Sequence, residues 1–340
     1  MTALSAPDLA WRDARELGIE GRGWPDRDAP YRRLPERARG LVRPEVWERA
    51  CSPCGLAVRF RSDSTTLAAR WKLGCANPLN VRGAGLDCYG RAADGRWLWV
   101  GSGQPGSDTE TLDRLNQAPL DGAFREYRLY FPLGTPLAEL SVGVNRGARL
   151  EPGPLDARPP LVLYGTSIAQ GAGVSRPGLC YPSILGRKLD YPVVNLGFSS
   201  HGTMDAEVAE LIAELDAALY VIDCLPNLRP EDAAARAVRL VEILRGRRAV
   251  TPILFVGDRL FGDGAFIPCR REKQRQTSAA QRQAFESLLR RGVPGLHLLD
   301  ERNFFGEDFE GSSDTVHAND IGALRMAEAV EPVVRRLLSL

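Results

Sequence analysis

The feature that most constrains this chain is a change of hydrophobic rhythm at Pro159-Pro160. Beyond it, short and nearly continuous apolar runs (Leu161 to Gly165, Val193 to Leu196, Leu219 to Cys224, Ile253 to Val256, Leu296 to Leu299) alternate with stretches of helical period. Apolar runs of this kind suit strands covered on both faces. The stretches between them place Val208, Leu211, Ile212 and Leu215, then Ala234, Ala237, Val238 and Val241, at i, i+3, i+4 and i+7, and a last helical run extends from Asp320 to Leu338. Strand and helix in alternation predict a parallel, doubly wound α/β sheet whose ligand site lies at the carboxyl ends of the strands.

Before the two prolines the period is different. Leu56 to Phe60, Thr66 to Trp71, Arg96 to Val100, Tyr127 to Phe131 and Leu140 to Val144 are rich in aromatic or branched residues and bounded by Gly, Pro, Asp or Asn. They predict an all-β sandwich. Residues 1–40, with Pro25, Pro30 and Pro35 among many charges, read as an arm or an early strand pairing. The expected organisation is therefore an arm (1–40), a β-sandwich (41–154) and an α/β domain (155–340). Gly101-Ser-Gly-Gln-Pro-Gly106 matches a GxGxxG pattern, but the polar stretch after it does not open an apolar helix, so it reads as a loop between strands and implies no nucleotide.

Charge excludes some partners. Lys+Arg of 44 against Asp+Glu of 43 leaves a net charge of +1, with no general attraction to nucleic acid or anionic lipid. The many arginines, spread along the chain, read as a composition bias. Neither a signal-peptide pattern nor an apolar run of membrane-spanning length is present, so a cytoplasmic protein is expected. Seven cysteines suit reduced thiols, and Cys51-Ser-Pro-Cys54 stands without the second ligand pair that zinc needs.

The chemistry is sought where the apolar runs stop. The first ends in Tyr164-Gly165-Thr166-Ser167, the second in Asn195-Leu196-Gly197-Phe198 and the third in Asp223-Cys224-Leu225-Pro226-Asn227, while Asp314-Thr315-Val316-His317 precedes the last helix. Each has a plain alternative: Ser167 as a helix cap, Gly197 and Asn227 as turn residues, Asp314 as a local cap. Gly165 would permit a tight turn that brings the Ser167 hydroxyl to the sheet edge, with its own N–H facing a developing oxyanion. A histidine can take a serine proton and return it, which suits His317 to that role, and Asp314, about one turn away, would hold its tautomer. Of the other histidines, His201 lies in a loop and His297 inside an apolar strand.

In this order of residues the chain resembles the SGNH, or GDSL-type, hydrolase superfamily, whose four blocks would here be Ser167, Gly197, Asn227 and His317. Tyr164-Gly-Thr-Ser-Ile-Ala-Gln-Gly171 is similar to the serine block of a subgroup with threonine in place of the usual aspartate, and Gly85-Leu-Asp-Cys-Tyr89 is similar to the Gly-x-Asp-Leu-Tyr motif of that subgroup's N-terminal β-sandwich. His201 and Ala318 depart from its common pattern. The resemblance implies a flavodoxin-like sheet and an acyl-enzyme mechanism, with Ser167, His317 and Asp314 catalytic and an oxyanion held by the N–H groups of Ser167 and Gly197 and the Asn227 amide. It implies hydrolysis of an acetyl or other carboxylic ester of a sugar or small molecule. The alternative is an intracellular O-acyltransferase moving the acyl group from an activated donor, such as an acyl thioester, to a natural-product hydroxyl. A third reading, a glycan-binding sandwich on an inert α/β scaffold, fits the four blocks poorly. No cofactor, nucleic-acid partner or membrane partner is expected.

Overall fold

The computed structural model describes residues 8–25, 29–75, 82–106 and 109–340. Among the described residues ten strands precede the two prolines: β1 (Leu9–Asp13), β2 (Ile19–Glu20), β3 (Ala57–Ser62), β4 (Leu67–Leu73), β5 (Leu86–Arg91), β6 (Trp97–Gly103), β7 (Glu110–Arg114), β8 (Arg125–Tyr130), β9 (Leu137–Asn145) and β10 (Leu150–Pro152). All their pairings are antiparallel, in two sheets ordered β1-β9-β4-β7 and β10-β3-β8-β5-β6, with β2 beside β3. Phe60, Trp71, Tyr127 and Leu129 belong to the core these strands share. The expected sandwich is present, and the early strand pairing is β1 on β9. Gly101 and Gly103 lie inside β6, where a Cβ would come within 1.8 Å of the Leu115 carbonyl and 2.8 Å of the Trp71 ring. Close packing, rather than a phosphate loop, explains those glycines.

After the prolines come β11 (Leu161–Gly165), β12 (Val193–Gly197), β13 (Leu219–Asp223), β14 (Ile253–Val256) and β15 (Leu296–Leu299), parallel and ordered β12-β11-β13-β14-β15. Alternate residues face opposite layers. Val162, Tyr164, Tyr220 and Ile222 join one core with helices over Ala206–Ala213 and Pro230–Arg247, while Leu161, Leu163, Leu219 and Val221 join another with helices over Tyr181–Leu189 and Asp320–Leu338. Both faces are thus covered, which is why these strands read as continuous apolar runs. Among the described residues no helix is long and apolar enough to cross a membrane.

The expected division at residue 40 does not follow the packing. Leu34, Ala38, Val42, Val46 and Ala50 belong to the α/β core with Val194, Leu196 and Phe198, although they precede the sandwich strand β3. Arg33 fixes this segment to the sheet. It is 2% exposed, donates from Nη1 to the Gly197 carbonyl (2.6 Å) and from Nε to the Ser52 carbonyl (2.8 Å), and stacks on Phe198. A buried guanidinium satisfied by carbonyls performs a packing role that composition bias does not describe.

A second set of buried charges locks the carboxyl end of the sheet. Asp223, the last residue of β13, accepts from Arg259 Nη2 and the Tyr181 hydroxyl, each at 2.6 Å, and both members of the ion pair are 0% exposed. Removing one partner of such a pair leaves an uncompensated buried charge and costs about 3–5 kcal/mol. The neighbouring Asp258 is buried and, among the described residues, accepts only the Arg259 N–H, at 2.8 Å. Burial pushes its carboxyl up to about 6, against the opposing pull of the Arg259 charge.

An unfolded aspartate titrates at about 3.9, so the folded state holds this proton more tightly. The ionised form costs stability above about pH 6, and the cost fades as pH falls toward the unfolded value. Asp258→Asn should therefore exceed the wild type in stability at about pH 8 by up to about 3 kcal/mol. The gain should vanish near pH 4, and urea unfolding across that range measures it.

Candidate active site

Three glycines decide where the serine sits. β11 runs at its carboxyl end between β12 and β13, with Gly165 opposite both Gly197 and Asp223, at the point where the chain order of the sheet reverses. A Cβ on Gly165 would lie 2.7 Å from Ala169 Cβ, one on Gly197 2.4 Å from the Gln170 nitrogen, and one on Gly202 2.0 Å from the Gly165 carbonyl. The short helix Ser167–Gln170 can therefore start directly on the sheet. Thr166 caps it, its hydroxyl accepting the Ile168 N–H at 3.3 Å, and Gly171 ends it with φ 95°. Ser167 is the first residue of that helix, so its N–H has no intrahelical acceptor, and the residue is 7% exposed.

The histidine comes from a loop that organises itself. Asp314 Oδ1 accepts the backbone N–H groups of Val316 (3.0 Å) and His317 (2.7 Å), and its Oδ2 meets His317 Nδ1 at 2.6 Å. Thr315 supports this closure with φ +71°, a left-handed conformation that is strained for a β-branched residue. Burial acts to raise the Asp314 carboxyl, but the His317 and Val316 hydrogen bonds outweigh it and hold the group below the usual carboxylate range. A carboxylate only accepts, so Nδ1 carries the hydrogen and Nε2 is left as the acceptor. Nε2 lies 2.9 Å from Ser167 Oγ, across 150 residues of sequence. Ser167, His317 and Asp314 are thus brought into one hydrogen-bonded line.

Gly197 is placed differently from expectation. Its N–H donates to Asn195 Oδ1 at 2.9 Å and is not free to meet an oxyanion; the residue is a glycine because the serine helix approaches it so closely. Ser200 has φ +64°, is exposed, and makes no hydrogen bond to any described residue. A positive φ at a serine leaves no mark in the sequence. Asn227 ends a 3-10 turn, Leu225–Asn227, after β13; its side-chain Oδ1 is buried and has no hydrogen-bond partner among the described residues.

Gln170 belongs to the serine block but had no assigned role. Its Oε1 accepts from the Ser199 N–H (2.9 Å) and hydroxyl (2.8 Å), while Nε2 donates to the Leu133 carbonyl (3.1 Å) of the sandwich. His201 is held by Arg43, whose Nη1 donates to its Nδ1 at 3.2 Å; burial and the Arg43 charge push the ring below its ordinary pKa. His297 lies on the edge strand β15. After β14, Pro268 opens a helix that runs to Arg290. Arg271, Lys273 and Arg275 thus fall on its first turns, and Arg270 reaches Thr315 Oγ1 at 3.0 Å. Phe266 is 86% exposed and encloses no pocket. A cleft of about 710 Å³ opens between β6 and the two helices Tyr181–Leu189 and Asp320–Leu338, its lining including Arg96, Leu98, Lys188, Asp320 and Leu324.

The chain is similar to known proteins over both of its regions. The model of the GDSL-like lipase/acylhydrolase family matches residues 158–335, and the model describing the N-terminus of SGNH-hydrolase-type esterases, with its Gly-x-Asp-Leu-Tyr motif, matches residues 9–150. A crystal structure described as a GDSL-like lipase from Bacteroides ovatus is similar with 32% identity and a TM-score of 0.93, over 98% of each chain. The salicylyl-acyltransferase SsfX3 of a tetracycline biosynthetic pathway is similar at 22% identity and a TM-score of 0.72, over 98% of this chain and 94% of that one. A family two carbohydrate esterase from Cellvibrio japonicus is similar at 11% identity and a TM-score of 0.61, over 98% and 99%. At those identities the last two speak for the fold alone. No curated protein matches the chain.

The packing at Gly197 gives a direct test. Gly197→Ala drives a methyl into the backbone of the serine helix, so it should destabilise the protein by about 1–3 kcal/mol, read as a lower urea midpoint.

Proposed function

Because this chain belongs to the GDSL-like lipase/acylhydrolase family, we propose that it hydrolyses carboxylic esters through an acyl-enzyme formed on Ser167. One observation carries the reading: the Ser167 hydroxyl, His317 and Asp314 form a continuous chain of hydrogen bonds, 2.9 Å and 2.6 Å long, with the tautomer fixed by Asp314.

In the first half-reaction His317 Nε2 takes the Ser167 proton as Oγ bonds to the ester carbonyl carbon. The carbonyl π electrons move to oxygen. That oxyanion is received by the N–H groups of Ser167 and Ser200 and by the Asn227 side-chain amide. Collapse of the tetrahedral intermediate breaks the carbon–oxygen bond to the alcohol, which leaves with the proton from His317. Water then gives a proton to His317 and adds to the acyl carbon, and the acid departs as Ser167 recovers its hydrogen. Asp314 keeps Nδ1 protonated throughout and stabilises the imidazolium.

Water is favoured as acceptor by the openness of the dyad, whose side chains are 28% (His317) and 53% (Asp314) exposed. The substrate class is an acyl ester of a sugar or another small molecule. A second reading is transfer of the acyl group to a bound alcohol, the kind of activity named for the similar salicylyl-acyltransferase SsfX3.

Ser167→Ala should abolish both turnover and labelling by a fluorophosphonate without unfolding the protein, whereas Asn227→Ala should lower kcat by about 10²–10³. Labelling at another serine would sink the mechanism. Product analysis with an activated acyl ester or thioester, with and without sugar and polyketide alcohols, separates the acceptors. Fast release of free acid that no alcohol diverts marks the esterase; slow hydrolysis with efficient ester formation marks the transferase.

A further inference from the structure

The Gly-x-Asp-x-Tyr stretch in β5 lies in the sandwich, yet its aspartate is spent on the other domain. Asp87 is 0% exposed. Its carboxylate accepts from Arg176 Nη1 at 2.9 and 2.7 Å, from the Gly178 N–H at 2.9 Å and from Trp99 Nε1 at 2.8 Å. Arg176 Nη1 also donates to the Tyr89 hydroxyl at 2.7 Å, and its guanidinium lies over the Trp99 ring. Gly178 admits no side chain there, since a Cβ would sit 2.5 Å from the Tyr89 ring and 2.6 Å from Asp87 Oδ2. One carboxylate of the sandwich thus fixes residues 176–178 of the α/β domain.

The same loop leads to the histidine. Ser175 donates from its N–H to Asp320 Oδ1 (2.7 Å) and from its hydroxyl to Asp320 Oδ2 (2.6 Å), which ties the loop to the first residue of the last helix. Two residues earlier, Gly173 has φ +102° and packs so closely that a Cβ would meet the Ala318 carbonyl at 2.7 Å and His317 Cβ at 3.1 Å. At its other end the loop leaves Gly171, the cap of the serine helix. The segment 171–178 therefore touches the nucleophile's helix, the histidine loop and the sandwich in eight residues.

We propose that Asp87 is a positioning residue for the reaction: through Arg176, Gly178 and Ser175 it holds the Asp314–His317 unit at hydrogen-bonding distance from Ser167. Asp314 and His317 are bonded to each other locally, so nothing within their own loop sets their distance from a serine on another element. The anchored 171–178 segment does, and a displacement of an ångström between base and nucleophile is enough to cost about a hundredfold in rate. The proposal rests on Ser167 and His317 as nucleophile and base.

The test compares wild type, Ser167→Ala, Asp87→Asn and Ser175→Ala in the full chain with p-nitrophenyl acetate. Asp87→Asn puts an amide N–H against the donors it must accept from, and should lower kcat about ten- to a hundredfold with KM unchanged. The fluorophosphonate labelling rate should fall by a similar factor. Ser175→Ala removes one surface-proximal hydroxyl and should lower kcat in the same direction by a smaller factor, even if Asp87→Asn fails to fold. In both variants the downfield Nδ1–H proton resonance of the His317–Asp314 bond should persist, because that bond is local. The proposal is overturned if both variants keep kcat within twofold of wild type, or if their losses only match the fraction unfolded in circular dichroism. An active Ser167→Ala would instead sink the underlying reading of the site.

Discussion

No side chain fits where β11, β12 and the loop after β12 converge, and the rest of the site depends on that. With glycine at 165, 197 and 202 the backbones come together so closely that the helix beginning at Ser167 needs no intervening turn. Thr166 caps that helix, and the Ser167 N–H at its first position has no intrahelical acceptor. Strand order places the remaining contributors around it. Gly197 ends β12 and Ser200 follows it, Asn227 follows β13, and the histidine loop lies between β15 and the last helix.

Around this edge most of the buried charge is paired, Asp258 being the exception. Asp223 meets Arg259 and Tyr181, Asp87 meets Arg176 with two further donors, and Arg33 is absorbed by main-chain carbonyls. Each network crosses between elements distant in sequence, and the one at Asp87 crosses from the sandwich to the α/β layer. The sandwich is therefore part of the framework of the site. Leu133 reinforces this, its carbonyl accepting from the Gln170 that also anchors Ser199. A half-satisfied network in such surroundings would cost more than an apolar replacement, so these links are either complete or costly.

The arginines change meaning in this light. Scattered along the chain they resemble a bias of composition, but Arg33, Arg176 and Arg187 stack on Phe198, Trp99 and Tyr89 respectively. A planar, weakly hydrated cation with several fixed donors can bridge rings and carbonyls in a way that lysine cannot. Spacing along the sequence gives no hint of this, because the partners lie far away in the chain.

The sequence by itself determined what is local. Continuous apolar runs and helical periods specified a parallel sheet covered on both faces, alternating strands specified the sandwich, and Asp314 with His317 formed a unit because three residues of loop suffice to join them. Ser167 was legible for a similar reason, since it stands between a strand and a helix start. Tertiary structure alone decided the rest. It spent the Gly197 N–H on Asn195, turned Ser200 to a positive φ with its N–H unengaged among the described residues, and moved residues 34–50 into the α/β core. It also set the 2.9 Å between His317 and Ser167 by bringing together segments 150 residues apart. Period and motif encode which face of an element is apolar and which residues adjoin in the chain; which backbone donors stay free is decided only when distant segments pack.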